Sequence, residues 1–416
     1  MNIIFSKKIS RQKLYKLGWM FSFFFSFFPS ASLNSQNILQ NWFSKLLGSE
    51  VIFIGRARVG LFLAARLIQR EQKGVCLLSP LTILDVVNML SASGAELEYL
   101  DLKKDFYEID IDLLKRRLLL GDVNMLVVTH YFYIQPNIEE IVEVCRFNNV
   151  SIIEDCAISL GAKINGKSAG SFGRFSIFSF SLFKFLNSFW GGAIFCQNEL
   201  DSNKIKLDIQ AWRQLNFYEY IPQLMKYMKF WLVTFQPFLR VIFPFFKYGI
   251  KNNIQIIVKN VQNDPVVPYT SQVEANCLSL PHPSLYIELA RKITHLSRDM
   301  EWRQINAFYL YKNINNKKLI ALPDRLDFNS ASLISFPLLF NSMKERNIAL
   351  NLLLDIGVDC SKQLYRNVSQ TAGFRNIPGE TFNTQNLIER SLFIPIHKSV
   401  SLVDLKKICK KINHLN

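Results

Sequence analysis

Short apolar runs alternate with helix-like segments between residues 51 and 155, and this alternation constrains the fold more than any other feature. The helix-like segments, such as 82–94 with Thr82 as the expected N-cap, place apolar residues at helical spacing. Four apolar runs between them are predicted strands: VIFI (51–54), GVCLLS (74–79), NMLVVTH (124–130) and SIIED (151–155). Strands alternating with helices predict an α/β fold, a parallel or mixed sheet covered by helices on both faces.

Two further predicted strands, RFSIFSF (174–180) and GGAIFCQ (191–197), follow with no full helix between them. They predict an antiparallel element at the end of the sheet. Lys184 lies between them in FSFSLFKFLNSFWGG, where it is surrounded by six aromatic residues. An apolar setting lowers the pKa of a lysine and exposes a nucleophilic amine.

The C-terminal part has a different pattern, which predicts a separate, smaller α+β domain. Its predicted elements are a helix over 284–313, a strand over 333–340, a helix over 342–358, a strand over 390–397 and a closing helix over 401–412 that Ser401 caps. We therefore divide the chain into an N-terminal segment (1–48), a large domain (49–216), an aromatic and basic insertion (217–263) and a small domain (264–416).

The overall charge favours anionic partners, because 49 Lys and Arg residues exceed 33 Asp and Glu residues by 16. No nucleic-acid motif accompanies this charge, so nucleic acid is not an expected partner. The seven cysteines are scattered, with no Cys/His spacing that suits a metal. We expect no metal site and reduced thiols in a cytoplasmic protein.

The first 49 residues hold six cations and no acid, and the apolar run LGWMFSFFFSFF (17–28) lies among them. The run is too short to span a bilayer. It is either a secretory signal or a segment that lies in a membrane interface or packs on the protein. The cytosolic character of the following domain favours the second interpretation.

The insertion is rich in aromatic residues and carries six cations but no acid from Ile221 to Asn263. One interpretation is a patch on a membrane surface, with aromatic anchors and cations against anionic headgroups. The other is a helical hairpin that packs on the protein or in a dimer interface. The sequence leaves both open.

Three features are predicted at the carboxyl ends of the strands, where open α/β sheets bind ligands. Gly55 allows close approach of the backbone, and the helix after it offers N–H groups that suit a phosphate. Asp155 ends an apolar strand, so its carboxylate needs a partner, and a helix cap or structural ion pair is one alternative. Ser179 lies five residues before Lys184 and can donate to a phosphate. A lysine, a buried acid and phosphate donors together suggest pyridoxal phosphate.

The stretch 152–195 also resembles the core of the DegT-type sugar aminotransferases. The shared pattern includes the Glu–Asp pair at 154–155, the Gly–Ser pair at 170–171, Phe–Ser–Phe at 178–180, Lys184 and the Gly–Gly pair at 191–192. The resemblance extends over about three quarters of the chain. It implies fold type I, a three-layer α/β/α large domain around a mostly parallel seven-stranded sheet, with a smaller α+β C-terminal domain.

The resemblance also implies roles for single residues. Lys184 would bind pyridoxal phosphate as a Schiff base and shuttle protons, and Asp155 would pair with the pyridine nitrogen. Ser179 and the backbone of Gly55–Arg56–Ala57 would hold the phosphate. In related sugar dehydratases a histidine replaces the lysine, so Lys184 points to amino transfer.

The family context implies an aminotransferase acting on a nucleotide-linked keto-sugar, with glutamate as the usual amino donor, in lipopolysaccharide, capsule or glycan synthesis. A homodimer at the cytosolic face of a membrane is expected. The family usually has Gln or His where this chain has Ile158, and a flat residue near Ile83. These departures motivate an alternative, a catalytically degenerate homologue that acts as a membrane-associated scaffold or regulator.

Overall fold

A computed structural model describes most of the chain. The described residues are 7–10, 22, 24–26, 28–188, 190–252, 254, 267–273, 277–317, 319–320, 328, 331–362 and 365–415. The apolar run 17–28, interpreted above as a signal, an interfacial segment or a packed segment, lies mostly outside these residues. Among the described residues, no helix is both long and apolar enough to cross a bilayer.

The large domain contains the following elements in chain order. Its strands are β1 (Val51–Ile54), β2 (Val75–Leu78), β3 (Leu81–Thr82), β4 (Glu96–Tyr99), β5 (Val123–Thr129), β6 (Ser151–Asp155), β7 (Lys163–Ile164), β8 (Lys167–Ser168), β9 (Phe175–Ser179) and β10 (Gly192–Cys196). Its helices are α1 (Pro29–Leu47), α2 (Ala57–Glu71), α3 (Leu84–Ala92), α4 (Ile111–Leu118), α5 (Ile138–Phe147) and α6 (Glu199–Ile209).

Seven of these strands form the central sheet in the order β1-β10-β9-β6-β5-β2-β4. Strands β4, β2, β5, β6 and β9 pair in parallel, whereas β10 is antiparallel to both β9 and β1. The fold class is the one predicted, including the antiparallel element formed by the runs 174–180 and 191–197.

Both faces of the sheet are covered because neighbouring residues of its strands enter two different cores. Along β5, Leu126 and Val128 pack with α1, α4 and α5, while Met125 and Val127 pack with α2 and α3 on the other face. This alternation follows from the two-residue period of a strand and explains why the parallel strands are apolar throughout.

The C-terminal part packs its helices against a small antiparallel sheet of order β11-β12-β14. Its elements are α9 (Ser284–Asn313), β11 (Leu319–Ile320), β12 (Ser335–Phe340), α10 (Met343–Asp355), β13 (Arg366–Asn367), a 3-10 turn (Val368–Gln370), α11 (Phe382–Arg390), β14 (Ser391–Pro395) and α12 (Leu402–Asn413). Ser401 caps α12 in a capping box with Asp404, as the sequence predicts.

Thr82 is not the N-cap that the sequence predicts. It lies in β3, where it pairs with Arg366 of β13, and α3 begins two residues later at Leu84 with Ile83 in an extended conformation. The pairing with a distant strand overrides the local capping preference. It also joins the C-terminal part to the edge of the large domain.

The insertion folds as two helices, α7 (Phe217–Thr234) and α8 (Gln236–Lys251). Helix α8 buries Leu239, Phe243 and Ile250 in the C-terminal core. Its Lys247 also pairs with Asp355 of α10 at 2.6 Å. The insertion is therefore a helical hairpin with one face packed on the protein, which agrees with the interpretation of the segment as a packed hairpin.

Candidate functional site

Strand register brings the predicted site residues to one edge of the sheet. Ser179 of β9 lies opposite Gly192 of β10, which in turn lies opposite Ile54 at the end of β1. Asp155, the last residue of β6, pairs with Ile177 of β9. The chain segments after β1, β6 and β9 therefore start side by side, as expected for ligand-binding loops.

Asp155 is 5% exposed and accepts a hydrogen bond from the N–H of Ala157, with an N–O distance of 3.0 Å. Burial raises the pKa of this carboxyl, while that hydrogen bond and the charges of Lys184 and His130 act in the opposite direction. The structure thus places the acid in a desolvated position where the charge of Lys184 reaches it.

Lys184 lies in residues 180–191, the lysine loop, which connects β9 to β10. Its side chain is half-buried, and its backbone N–H donates to the carbonyl of Ser181 at 3.0 Å. Its own carbonyl accepts from Nδ2 of Asn187 at 3.0 Å. Phe180 and Leu186 are buried whereas Phe183 is 42% exposed, so the apolar setting predicted for Lys184 is only partly closed.

The missing side chain of Gly55 lets a distant segment of the chain, at Ser279, approach its backbone closely. Its N–H donates to the carbonyl of Ser279 at 2.9 Å, and a Cβ atom at Gly55 would lie 2.6 Å from Oγ of Ser279. The N–H of Gly55 is therefore not a free donor for a phosphate. The expectation of close backbone approach holds, but a residue far along the sequence occupies the space.

Arg56 and Ala57 begin α2 beside the Gly–Gly pair. The guanidinium of Arg56 stacks on the ring of Trp190 with 3.8 Å between its carbon and the ring centroid. A Cβ atom at Gly192 would lie 2.4 Å from the Cα of Ala57, so glycine is required there for the helix to approach β10. The first N–H groups of any helix have no hydrogen-bond partner within the helix. In α2 these N–H groups lie near the end of β9.

Ser179 ends β9 with a half-buried side chain. Its hydroxyl lies 3.5 Å from Oγ of Ser181, which is at the limit of a hydrogen bond. This contact is weak, so the hydroxyl can turn toward an anion. Serine, a cationic guanidinium and the start of a helix together form a donor set suited to a phosphate.

Comparison with known proteins agrees with this geometry. Residues 38–215 match the model of the DegT/DnrJ/EryC1/StrS aminotransferase family. This segment, somewhat less than half of the chain, resembles that family. The matched segment contains every candidate site residue described above.

Curated relatives align with only part of the chain. A UDP-4-amino-4,6-dideoxy-N-acetyl-beta-L-altrosamine transaminase of Campylobacter jejuni is 33% identical over 135 residues, which are 32% of this chain and 36% of that protein. A GDP-perosamine synthase of Escherichia coli O157:H7 is 26% identical over 34% of this chain and 38% of that protein. The alignments thus span somewhat more than a third of these relatives' length.

Solved aminotransferase structures resemble the chain over nearly its whole length. Helicobacter pylori PseC, an aminotransferase involved in pseudoaminic acid biosynthesis, superposes with a TM-score of 0.70, covering 98% of both chains at 15% identity. The aminotransferase TlmJ of Streptoalloteichus hindustanus gives 0.72 with 98% of both chains and 16% identity. At such identities the likeness establishes the fold.

Glu154 has a structural role that the sequence analysis, which singled out its neighbour Asp155, did not predict. Because side chains alternate along β6, Glu154 points away from Asp155. The carboxylate is fully buried and lies 2.9 Å from Nε2 of His130. It also accepts from the N–H groups of Gly170, Phe172 and Gly173 at 2.6–2.9 Å and from Oγ of Ser176 at 3.2 Å.

These contacts explain the glycine-rich motif and the position of His130. Burial alone would raise the pKa of Glu154, but the His130 hydrogen bond and the glycine N–H groups outweigh burial and lower it. His130, Glu154 and Cys156 offer ligand atoms within 4.8 Å of one another. The Glu154 oxygens are already taken by these donors, so the group is a structural hydrogen-bond network rather than a metal site.

Helix α7 of the insertion covers the lysine loop, which the sequence did not indicate. The ring of Phe183 packs edge-on against Phe230 with centroids 4.9 Å apart. Leu182 and Tyr227 are buried together, with partly buried Leu224, Phe230 and Trp231 around them. A helix about 40 residues further along the chain therefore packs directly beside Lys184.

Proposed function

We propose that this chain is a pyridoxal phosphate-dependent aminotransferase that acts on a nucleotide-linked keto-sugar in lipopolysaccharide, capsule or other glycan biosynthesis. The observation that carries the proposal is the buried Asp155 carboxylate at the carboxyl end of β6, where burial raises its pKa and the charge of Lys184 acts to lower it. The names of the relatives, a UDP-sugar transaminase and a GDP-perosamine synthase, support a nucleotide-linked sugar.

The residues present fit the cofactor. Among the described residues, the only donor within hydrogen-bond distance of the Asp155 carboxylate is the Ala157 N–H, which leaves one oxygen for a ligand. A protonated ring nitrogen beside this acid would offset the desolvation that raises its pKa. Ser179, Arg56 and Ala57 would bind the phosphate. Gly55 would contribute by letting Ser279 approach, since its own N–H is occupied.

Bound at this site, pyridoxal phosphate would supply the electron sink that transfer of an amino group requires. Lys184 would hold the cofactor covalently through Nζ, and Nζ would later take up and return a proton. The partly apolar lysine loop favours a neutral amine for both tasks. Asp155 would keep the ring nitrogen protonated.

We further propose a homodimer and glutamate as the amino donor, both on the strength of the family resemblance. The degenerate-homologue alternative gains no support from the named relatives, which are described as transaminases and synthases. Ile158 is buried, and Ile83 is half-buried against the core of α2 and α3, where it serves packing.

The proposal includes a cytoplasmic location with peripheral contact to the inner face of a membrane. Helix α7 exposes Met225, Met228 and Leu232, Phe235 is exposed between the two helices, and α8 exposes Phe238, Val241, Phe245 and Tyr248. Each set recurs every three or four residues and forms an apolar stripe. Exposed Lys226 and Lys229 flank the first stripe, which favours anionic lipid headgroups. A dimer formed through this stripe is less favourable than membrane contact, because the lysines of the two copies would lie close together and repel each other.

The experiment is spectroscopic. Purified protein mixed with pyridoxal phosphate should acquire a visible absorption band that Lys184→Ala abolishes, and glutamate should convert the band. Lys167→Ala, at a lysine with a 62% exposed side chain, is the matched control and should behave as wild type. A wild-type protein that takes up no added cofactor would overturn the proposal. Cofactor uptake without any change on adding glutamate would instead favour the degenerate homologue.

A further inference from the structure

Lys292 of α9 directs all its donors toward the lysine loop and one acid. Its Nζ atom lies 2.6 Å from Oδ1 and 2.7 Å from the carbonyl oxygen of Asn187. It also lies 2.8 Å from Oε1 of Glu288. An ammonium group has three N–H donors, so these three acceptors occupy it completely. Only 18% of the Lys292 side chain is exposed, which makes each contact costly to lose.

Asn187 passes this constraint to Lys184. Its Nδ2 donates to the carbonyl oxygen of Lys184 at 3.0 Å. An ammonium can only donate, so the contact with Lys292 requires Oδ1 to face Lys292 and Nδ2 to face Lys184. The amide orientation is therefore determined, and one side chain links α9 to the backbone of Lys184.

Glu288 fixes the other end of this chain of contacts. It is fully buried, accepts from Oγ of Ser22 at 2.6 Å and pairs with Arg291 at 2.8 Å. On the same turns of α9, Leu285 and Leu289 are buried in the core of the large domain. Lys292 is thus held by a packed helix and not by a mobile surface.

We propose that Lys292 and Asn187 are positioning residues that fix the backbone of Lys184 for attachment of the cofactor. This inference rests on the function proposed above for Lys184. Among its described residues, the segment 180–191 contains no helix or strand and has only short-range hydrogen bonds, so part of the rigidity that an attachment point requires must come from outside it. The contacts from α9 supply it.

The first test needs no cofactor. The amides of Lys184 and Ser188 donate to Ser181 and Phe180 within the lysine loop. In Lys292→Met their hydrogen exchange should accelerate by about tenfold or more. Lys115→Met, which removes an exposed lysine paired with Glu140, is the matched control and should leave both amides unchanged. Exchange rates equal to those of wild type in Lys292→Met would overturn the inference.

The second test uses the cofactor's visible band. Asn187→Asp keeps an acceptor for Lys292 but cannot donate to Lys184, so it removes the final link; it also adds a negative charge to the lysine loop, for which Asn187→Ala is the uncharged comparison. The pH midpoint of the band should shift by about half a unit or more in Asn187→Asp and in Lys292→Met. The double variant Lys292→Met/Asn187→Ala should shift no further than Asn187→Ala.

The outcomes separate this inference from the proposed function. If wild type takes up no cofactor, the proposed function fails, and the exchange experiment still decides whether the two residues hold the loop. If Lys292→Met does not fold, Asn187→Asp decides by both readouts. Unchanged midpoints and unchanged amide exchange in folded Asn187→Asp would overturn the inference while the proposed function stands.

Discussion

The rings of Phe183 and Phe230 meet edge-on with their centroids 4.9 Å apart, and this contact joins the insertion to the residue beside Lys184. Phe183 is 42% exposed even with this contact, so the pair lies at the surface of the lysine loop. The two faces of the insertion therefore differ in their surroundings. One face covers the loop, and the other presents the apolar stripes to solvent.

Phe230→Ala should destabilise the protein by about 1 kcal/mol, because it removes one aromatic pair and part of the cover over Leu182. Urea unfolding measures the change. Phe245→Ala, at a 70% exposed position on α8, is the matched control and should change stability by less than about 0.5 kcal/mol. Equal effects of the two substitutions would contradict the packing of α7 on the lysine loop.

Glu154→Gln should destabilise the protein at neutral pH by about 3 kcal/mol, since an amide cannot accept from His130, three backbone N–H groups and Ser176 as a carboxylate does. The pKa of Glu154 is lowered in the folded state, with burial opposed by the His130 and glycine contacts. Its contribution is therefore present above the unfolded pKa of about 4.3 and is lost as pH falls through the folded value.

Denaturation at several pH values measures this difference. The gap between wild type and Glu154→Gln should shrink as the solution is acidified below about pH 4.3. Glu140→Gln, at an exposed glutamate of α5, should show little difference from wild type at any pH. A gap that stays constant down to acid pH would mean that the charge of Glu154 is not what stabilises the network.

Asp155→Asn should stabilise the cofactor-free protein at neutral pH, because burial raises the pKa of the Asp155 carboxyl. A raised folded pKa favours folding below the unfolded pKa of about 3.9, and this advantage is lost as pH rises through the folded value. The neutral amide avoids that loss, so Tm should rise by about 2 °C. The control is Asp299→Asn, at an exposed ion pair.

The same substitution should weaken catalysis. Asp155→Asn should retain the cofactor band but reduce turnover at least about tenfold, or about 1.4 kcal/mol of barrier, since an amide cannot hold the ring nitrogen protonated. Turnover equal to wild type would remove Asp155 from the proposed site. A lower Tm in the cofactor-free protein would instead show that Asp155 has a stabilising partner.

Replacing Met225, Met228 and Leu232 by serine should reduce flotation with anionic phospholipid vesicles about tenfold, because the stripe on α7 loses its apolar surface. Higher salt should weaken the wild-type binding through Lys226 and Lys229. The control replaces exposed Leu119 and Leu120, which lie just beyond the end of α4. Equal flotation of the triple variant and wild type would exclude this stripe as the membrane contact.

The sequence alone determined the fold class and much of the element pattern. The strands at 51–54 and 151–155 and the Ser401 cap follow from local periodicity and local hydrogen bonds, which act over a few residues. The alternation of strands and helices fixed the direction of most strands. The motif from Asp155 to Lys184 predicted which residues form the candidate site.

The tertiary structure decided which residues from distant parts of the chain contact the candidate site and its neighbouring strands. Gly55 was expected to receive a ligand, yet Ser279 takes its N–H and the space of its missing side chain. Thr82 suited a helix cap, but pairing with Arg366 gave it a strand. Lys292 reaches the lysine loop from 105 residues away. Such contacts depend on packing between segments far apart in sequence, and no local pattern encodes them.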